Sequence, residues 1–200
     1  MRLSIPNEGQ LSESQVKLRD AVVGSRKGLG AEIWGRGPFG VWQNAPNVGH
    51  PALDLGGAVR FSTEIPADVR EVAICTVGVH YRAKFEFAAH KAIGIKAGLE
   101  AGALDRLAQG ESPGWTGALE VTHRYTKTLL EEHRVTQGLH DELAAAFGEQ
   151  GVVEIVTTIG YYCLNFSNAQ RLRGLAVHSN GRSVAGRKLN ASNIRQVSFT

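Results

Sequence analysis

The densest run of residue types able to do chemistry lies in residues 71–99, EVAICTVGVHYRAKFEFAAHKAIGIKAGL. A helix turns by about 100° per residue, so Glu86 and His90 fall about 40° apart on one face, with Ala89, Ile93 and Ala97 beside them and Lys84 and Lys91 opposite. Just upstream, Glu71, Ile74, Cys75, Gly78 and Arg82 share a helical face, and Gly78 leaves room for a neighbouring helix. Folding the two segments as an antiparallel hairpin brings Glu71 toward Glu86 and His90. Two carboxylates and an imidazole in a semi-buried setting suit proton transfer, because a carboxylate favours the imidazolium while burial opposes it. The alternative is a core histidine satisfied by the carboxylate four residues before it. His80 lies almost opposite Glu71 and reads as structural. Glu71, Glu86 and His90 lack the spacing of known ligand motifs, so no metal is expected.

Helices must position these side chains. Residues 11–23 open with the Ser12-x-x-Gln15 capping pattern and repeat apolar residues at Val16, Leu18, Ala21, Val22 and Val23. Pro66 fits the first turn of a helix reaching Arg82, and a second runs over residues 85–99 and closes at Ala101-Gly102. Residues 115–133 carry Leu119, Leu129 and Leu130 on one side, and from Val152 the apolar positions follow the spacing of a core-facing helix through Cys163 and Phe166. Strand alternation is nearly absent, so the expected class is all-α. Glycines crowd residues 24–40 and 174–186 and predict irregular chain there. Gly35-Arg36-Gly37-Pro38-Phe39-Gly40 matches GxGxxG, but no strand precedes it and Pro38 removes an amide a phosphate would need. No P-loop, HExxH or GxSxG occurs.

The chain has 200 residues, 42% apolar and 20% charged, with net charge +3, the composition of one ordinary globular domain. Four basic and no acidic residues fall in 174–200, so the excess belongs to the tail and no nucleic-acid partner is expected. Cys75 and Cys163 have neither disulfide nor zinc-knuckle spacing and read as reduced, buried thiols. The N-terminus has no apolar signal region and no run approaches a membrane span, which points to a cytoplasmic protein without membrane contact. The expected organisation is a helical domain over residues 1–175 and a basic arm or tail over 176–200.

Glu71 with its following apolar helix, then Phe85-Glu86-Phe87-Ala88-Ala89-His90-Lys91-Ala92 running on to Gly98-Leu99, resembles the carboxymuconolactone decarboxylase family, whose members show a Tyr-Glu-Trp-x-x-His version of that signature. Phe147-Gly148-Glu149, the apolar helix after it and Asn168-Ala169 are similar to the family's closing helix. The likeness runs from about Leu11 to Leu175. It implies an alkyl-hydroperoxidase-D-like (AhpD-like) helical bundle assembled as a homotrimer or hexamer. One branch of the family uses a Cys-x-x-Cys-x-x-x-His motif; aligned on His90, its cysteine positions are Ala83 and Glu86 here. The other branch decarboxylates a carboxylated unsaturated lactone in aromatic-compound catabolism without a cofactor. The resemblance therefore implies a lyase with His90 as proton donor, Glu86 orienting it and Glu71 completing the relay. Arg82 and Arg60 are candidates to grip the carboxylate of a small lactone or carbonyl acid. Phe85 and Phe87 replace the usual Tyr and Trp and so remove two hydrogen-bond donors. Two further readings stand beside the lyase: a non-catalytic oligomeric binding protein and a peroxide-active, peroxiredoxin-like antioxidant.

Overall fold

A computed structural model describes residues 3–171 except 27 and 29. The expected tail over 176–200 and the glycine cluster at 174–186 lie outside them. The described residues are all-helical, with no strand: α1 (Glu13–Ser25), α2 (Gly37–Trp42), α3 (Pro46–Phe61), α4 (Ala67–His80), α5 (Lys84–Lys96), α6 (Ala101–Gln109), α7 (Gly117–Glu132) and α8 (Gln137–Arg171). None of these helices is long and apolar enough to cross a membrane. They form two compact units, one reaching Asp54 and the other Leu55–Gln170.

In the first unit, α1 starts at the anticipated capping box. Ser12 Oγ accepts from the Gln15 amide and the Ser12 amide donates to Gln15 Oε1, at 3.4 and 2.8 Å, satisfying two amides that a helix start leaves without partners. The Gln15 side chain also donates to the Gln43 carbonyl at 2.7 Å, fastening α1 to the end of α2. Gly49 marks a close approach, since a Cβ there would stand 2.6 Å from Leu18 Cδ2 and 2.8 Å from Trp42 Cβ. The glycine-rich segment 24–40 is less irregular than its composition predicts. It contains a 3-10 turn, Ala31–Gly35, and the start of α2, with Pro38 in the first turn where its missing amide costs nothing.

The second unit is built around α4, whose residues from Val69 to Gly78 are buried except Arg70. It packs on α5, α6 and α7, with Val72 and Cys75 in a cluster completed by Leu99, Leu104 and Leu107. Gly78 does what its spacing predicts: a Cβ there would touch Phe87 at 3.4 Å, so α5 crosses α4 at this point. Between the two helices Arg82 adopts φ 52° while the Ala83 amide returns to the Gly78 carbonyl at 2.9 Å. That is a left-handed helix end which glycine occupies more easily. The far end of α5 differs from expectation. It stops at Gly98, φ 107°, where the Leu99 amide reaches back to Gly94, and Ala101-Gly102 instead begins α6. The loop from α6 to α7 is clipped by Arg106, whose Nε and Nη2 both donate to the Pro113 carbonyl at 3.2 and 2.6 Å. Helix α8 begins well before Val152 and is broken inside by non-helical Gly148. Its Glu154 carboxylate accepts from the amides of Glu64 and Ile65 at 2.9 and 3.1 Å, anchoring the approach to α4.

Candidate functional site

Glu71 sits one turn into the buried stretch of α4, 1% exposed, and His90 sits midway along α5, 8% exposed. Glu71 Oε2 lies 2.7 Å from His90 Nδ1, within the range of a charge-assisted hydrogen bond. When Glu71 is ionised it can only accept, which makes Nδ1 the donor and leaves Nε2 as the ring atom for other chemistry. The hairpin therefore does bring Glu71 to His90, and two glycines permit it. Gly78 admits α5 at one end, while a Cβ on Gly94, one turn beyond His90, would stand 3.0 Å from Leu99 Cδ1 and 3.5 Å from Glu71 Cβ.

Helix α8 closes the site. The Tyr162 ring meets the imidazole edge-on at 4.9 Å and 88°, and Phe166 follows at 6.3 Å. These contacts keep water from the pair, which strengthens any electrostatic interaction inside it. At the pair itself, Glu71 Oε1 is buried with no hydrogen-bond partner among the described residues. Buried acceptors in that condition are uncommon and mark a strained or functional place.

The remaining candidates lie apart from this pair. Glu86, taken from the helical wheel as the partner of His90, is half-buried and makes no hydrogen bond to it; the carboxylate comes from α4 instead. Arg82 is exposed at the α4–α5 turn, and the Arg60 guanidinium lies over the Phe61 ring at 5.4 Å. His80 is exposed with its ring edge-on to Tyr81 at 5.2 Å. Cys75 is fully buried beside Glu71, and burial foremost, then the Glu71 charge, push its thiol far up. Cys163 is only half-buried rather than enclosed; burial raises its thiol as well, opposed by a hydrogen bond from Tyr81. Neither is a ready thiolate, the form in which cysteine attacks. Among the described residues no three His, Cys, Asp or Glu side chains are arranged to hold a metal.

Sequence reasoning missed Tyr162 and took Phe166 as plain core. The i, i+4 pair Tyr162 and Phe166 was the available signal, but nothing local says which helix it faces. A second histidine also went unnoticed. His123 on α7 lies 3.0 Å by its Nδ1 from Thr76 Oγ1, whose own proton goes to the Val72 carbonyl at 2.8 Å, so the imidazole is the donor. The Trp115 ring covers it at 5.4 Å. Burial foremost, with Lys127 adding to it and Glu120 and Glu131 opposing, holds this imidazole below the usual histidine range. No protein-family model and no curated protein matches the chain.

Proposed function

We propose that this chain is a cofactor-independent lyase of the carboxymuconolactone decarboxylase type, with an AhpD-like bundle working as a homotrimer or hexamer. It acts on a small carboxylated lactone or carbonyl acid by decarboxylation or a related proton transfer. The observation that carries this reading is the buried Glu71–His90 hydrogen bond at 2.7 Å, joining the two residues that the family resemblance assigns to the relay. Loss of carbon dioxide from a conjugated lactone leaves an electron pair spread onto the carbonyl oxygen, and a proton must then return to carbon. Glu71 holds the imidazole by Nδ1 and stabilises its charged form, which leaves Nε2 to deliver that proton. Glu86 stands one turn before His90 and serves the substrate side rather than the imidazole. Arg82 and Arg60 remain the candidates for the substrate carboxylate. The peroxidase reading lacks support in two unactivated thiols.

One observation favours a second reading. Tyr162 and Phe166 lie against the imidazole, and the pair is almost wholly enclosed, as a structural latch in a non-catalytic binding protein would be. His90→Gln separates the two. The lyase reading expects turnover of a carboxylated lactone to fall by at least about 100-fold, the scale of general acid catalysis, with helical circular dichroism and assembly unchanged. Unaltered turnover sinks the mechanism, and unfolding of the variant favours the latch.

A further inference from the structure

A cavity of about 280 Å³ opens where α4 and α7 end against α8, lined by His80, Tyr81, His133 and Cys163 together with aliphatic side chains. His90 is not among its lining residues. We infer that it is a second binding site, for a small neutral compound that is mostly apolar and carries one hydroxyl. The inference stands independently of the lyase reading.

Size sets the first limit. Water occupies about 30 Å³ per molecule in the liquid, and a 150 Å³ apolar cavity holds benzene, so this one takes a molecule of roughly nine or ten non-hydrogen atoms. Lining sets the second. Leu129 and Leu130 from α7 and Val156 and Ile159 from α8 make an aliphatic wall, and no carboxylate, ammonium or guanidinium lines the space. Helix ends set the third. Helix α4 terminates at His80 and α7 at Glu132, with His133 as its cap, so two carbonyl ends converge here and disfavour an anion.

The polar groups then select a hydroxyl. Tyr81 and Cys163 bond one another, whereas an imidazole at the rim can donate from one nitrogen or accept at the other, which matches a group that does both. Backbone and glycine geometry support the same place. Among the described residues the non-glycine positions at positive φ are Arg82, next to Tyr81, and His133 itself, at 52° and 60°, each a left-handed helix end that turns the chain beside the cavity. Gly160 lies in the wall, and a Cβ built on it meets nothing within 4 Å. A side chain there begins in open space at the cavity wall, and replacing a glycine inside a helix favours folding, so Gly160→Leu is the variant chosen to occupy the cavity.

The test uses the full chain with 2-phenylethanol as probe and phenylacetate and 2-phenylethylamine as charged controls of matching size. Binding is read by ligand-observed NMR and located by the rate at which a thiol reagent modifies Cys163, Cys75 being buried. The expected result is that millimolar 2-phenylethanol binds and slows Cys163 modification several-fold, the charged controls do so at least about fivefold less, and Gly160→Leu abolishes both effects while its melting temperature holds or rises. Equal or stronger protection by phenylacetate or 2-phenylethylamine overturns the neutral-ligand assignment. Absence of 2-phenylethanol binding, or binding that survives in folded Gly160→Leu, overturns the site.

Discussion

A carboxylate that is 1% exposed and bonded to one imidazole has few options when that imidazole is removed. Glu71 already has one oxygen without a partner; losing His90 leaves the whole group buried and unpaired. Truncating one member of such a pair costs about 3–5 kcal/mol, whereas replacing both by apolar groups of similar volume is often neutral. Glu71→Ala is therefore expected to lower the unfolding free energy by about 3 kcal/mol, and Glu71→Leu with His90→Leu to recover most of it, both read from urea unfolding. Additive losses in the double variant would mean that the two residues do not act as a unit. His90 itself was legible in the sequence, as an imidazole on a mostly apolar helical face. Its partner was less so. The wheel offered Glu86 because residues four apart are neighbours on one helix, but the hydrogen bond is made across 19 positions by Glu71, and only the crossing of α4 and α5 decides between them.

At the scale of elements, the hairpin of α4 and α5 followed from Pro66, Gly78 and the apolar spacing, and α1 from its capping box, because those signals are local. What escaped was set by context. Helix α3 carries Pro51 in its interior and two adjacent glycines, a composition that argues against a helix, yet tertiary packing holds it. Where it meets α8, a Cβ on Gly56 would stand 2.0 Å from the Tyr161 hydroxyl, so one glycine that weakens the helix is what allows the contact. The joint between α4 and α7 has its own acid sensitivity. His123 is held below its ordinary value by burial, foremost, and by Lys127, so the unfolded chain binds the proton more readily than the folded one. Stability tied to this residue is complete above the unfolded histidine value of about 6.5 and is lost as pH falls from there through the lower folded value. Melting temperature measured from pH 7.5 to 5 is expected to drop further in the wild type than in His123→Gln. Parallel profiles would assign the acid loss to other groups.

For the whole molecule, the surface carries more apolar side chains than the helical interior requires. Phe61 and Phe85 are each 68% exposed, and Val153 and Leu164 stand out from α8 at 64% and 41%. Isolated exposed apolar residues are ordinary, whereas a contiguous group marks an association surface, which is what the proposed homo-oligomer requires of them. Sedimentation of the purified chain is expected to give a trimer or hexamer at micromolar concentration; a monomer there would remove the oligomer from the proposal. The clip between Arg106 and Pro113 bears on how long such a molecule survives. A loop of this kind, with Gly110 and Gly114 both at positive φ, is the sort of exposed connection that proteases nick first. Here the arginine nearest the loop is Arg106 in the last turn of α6, and its guanidinium is engaged by both contacts to the Pro113 carbonyl, so cleavage after it must wait for the clip and the helix end to open. Resistance to degradation at this joint thus depends on an opening equilibrium, and the same side chain is both the bait and the lock.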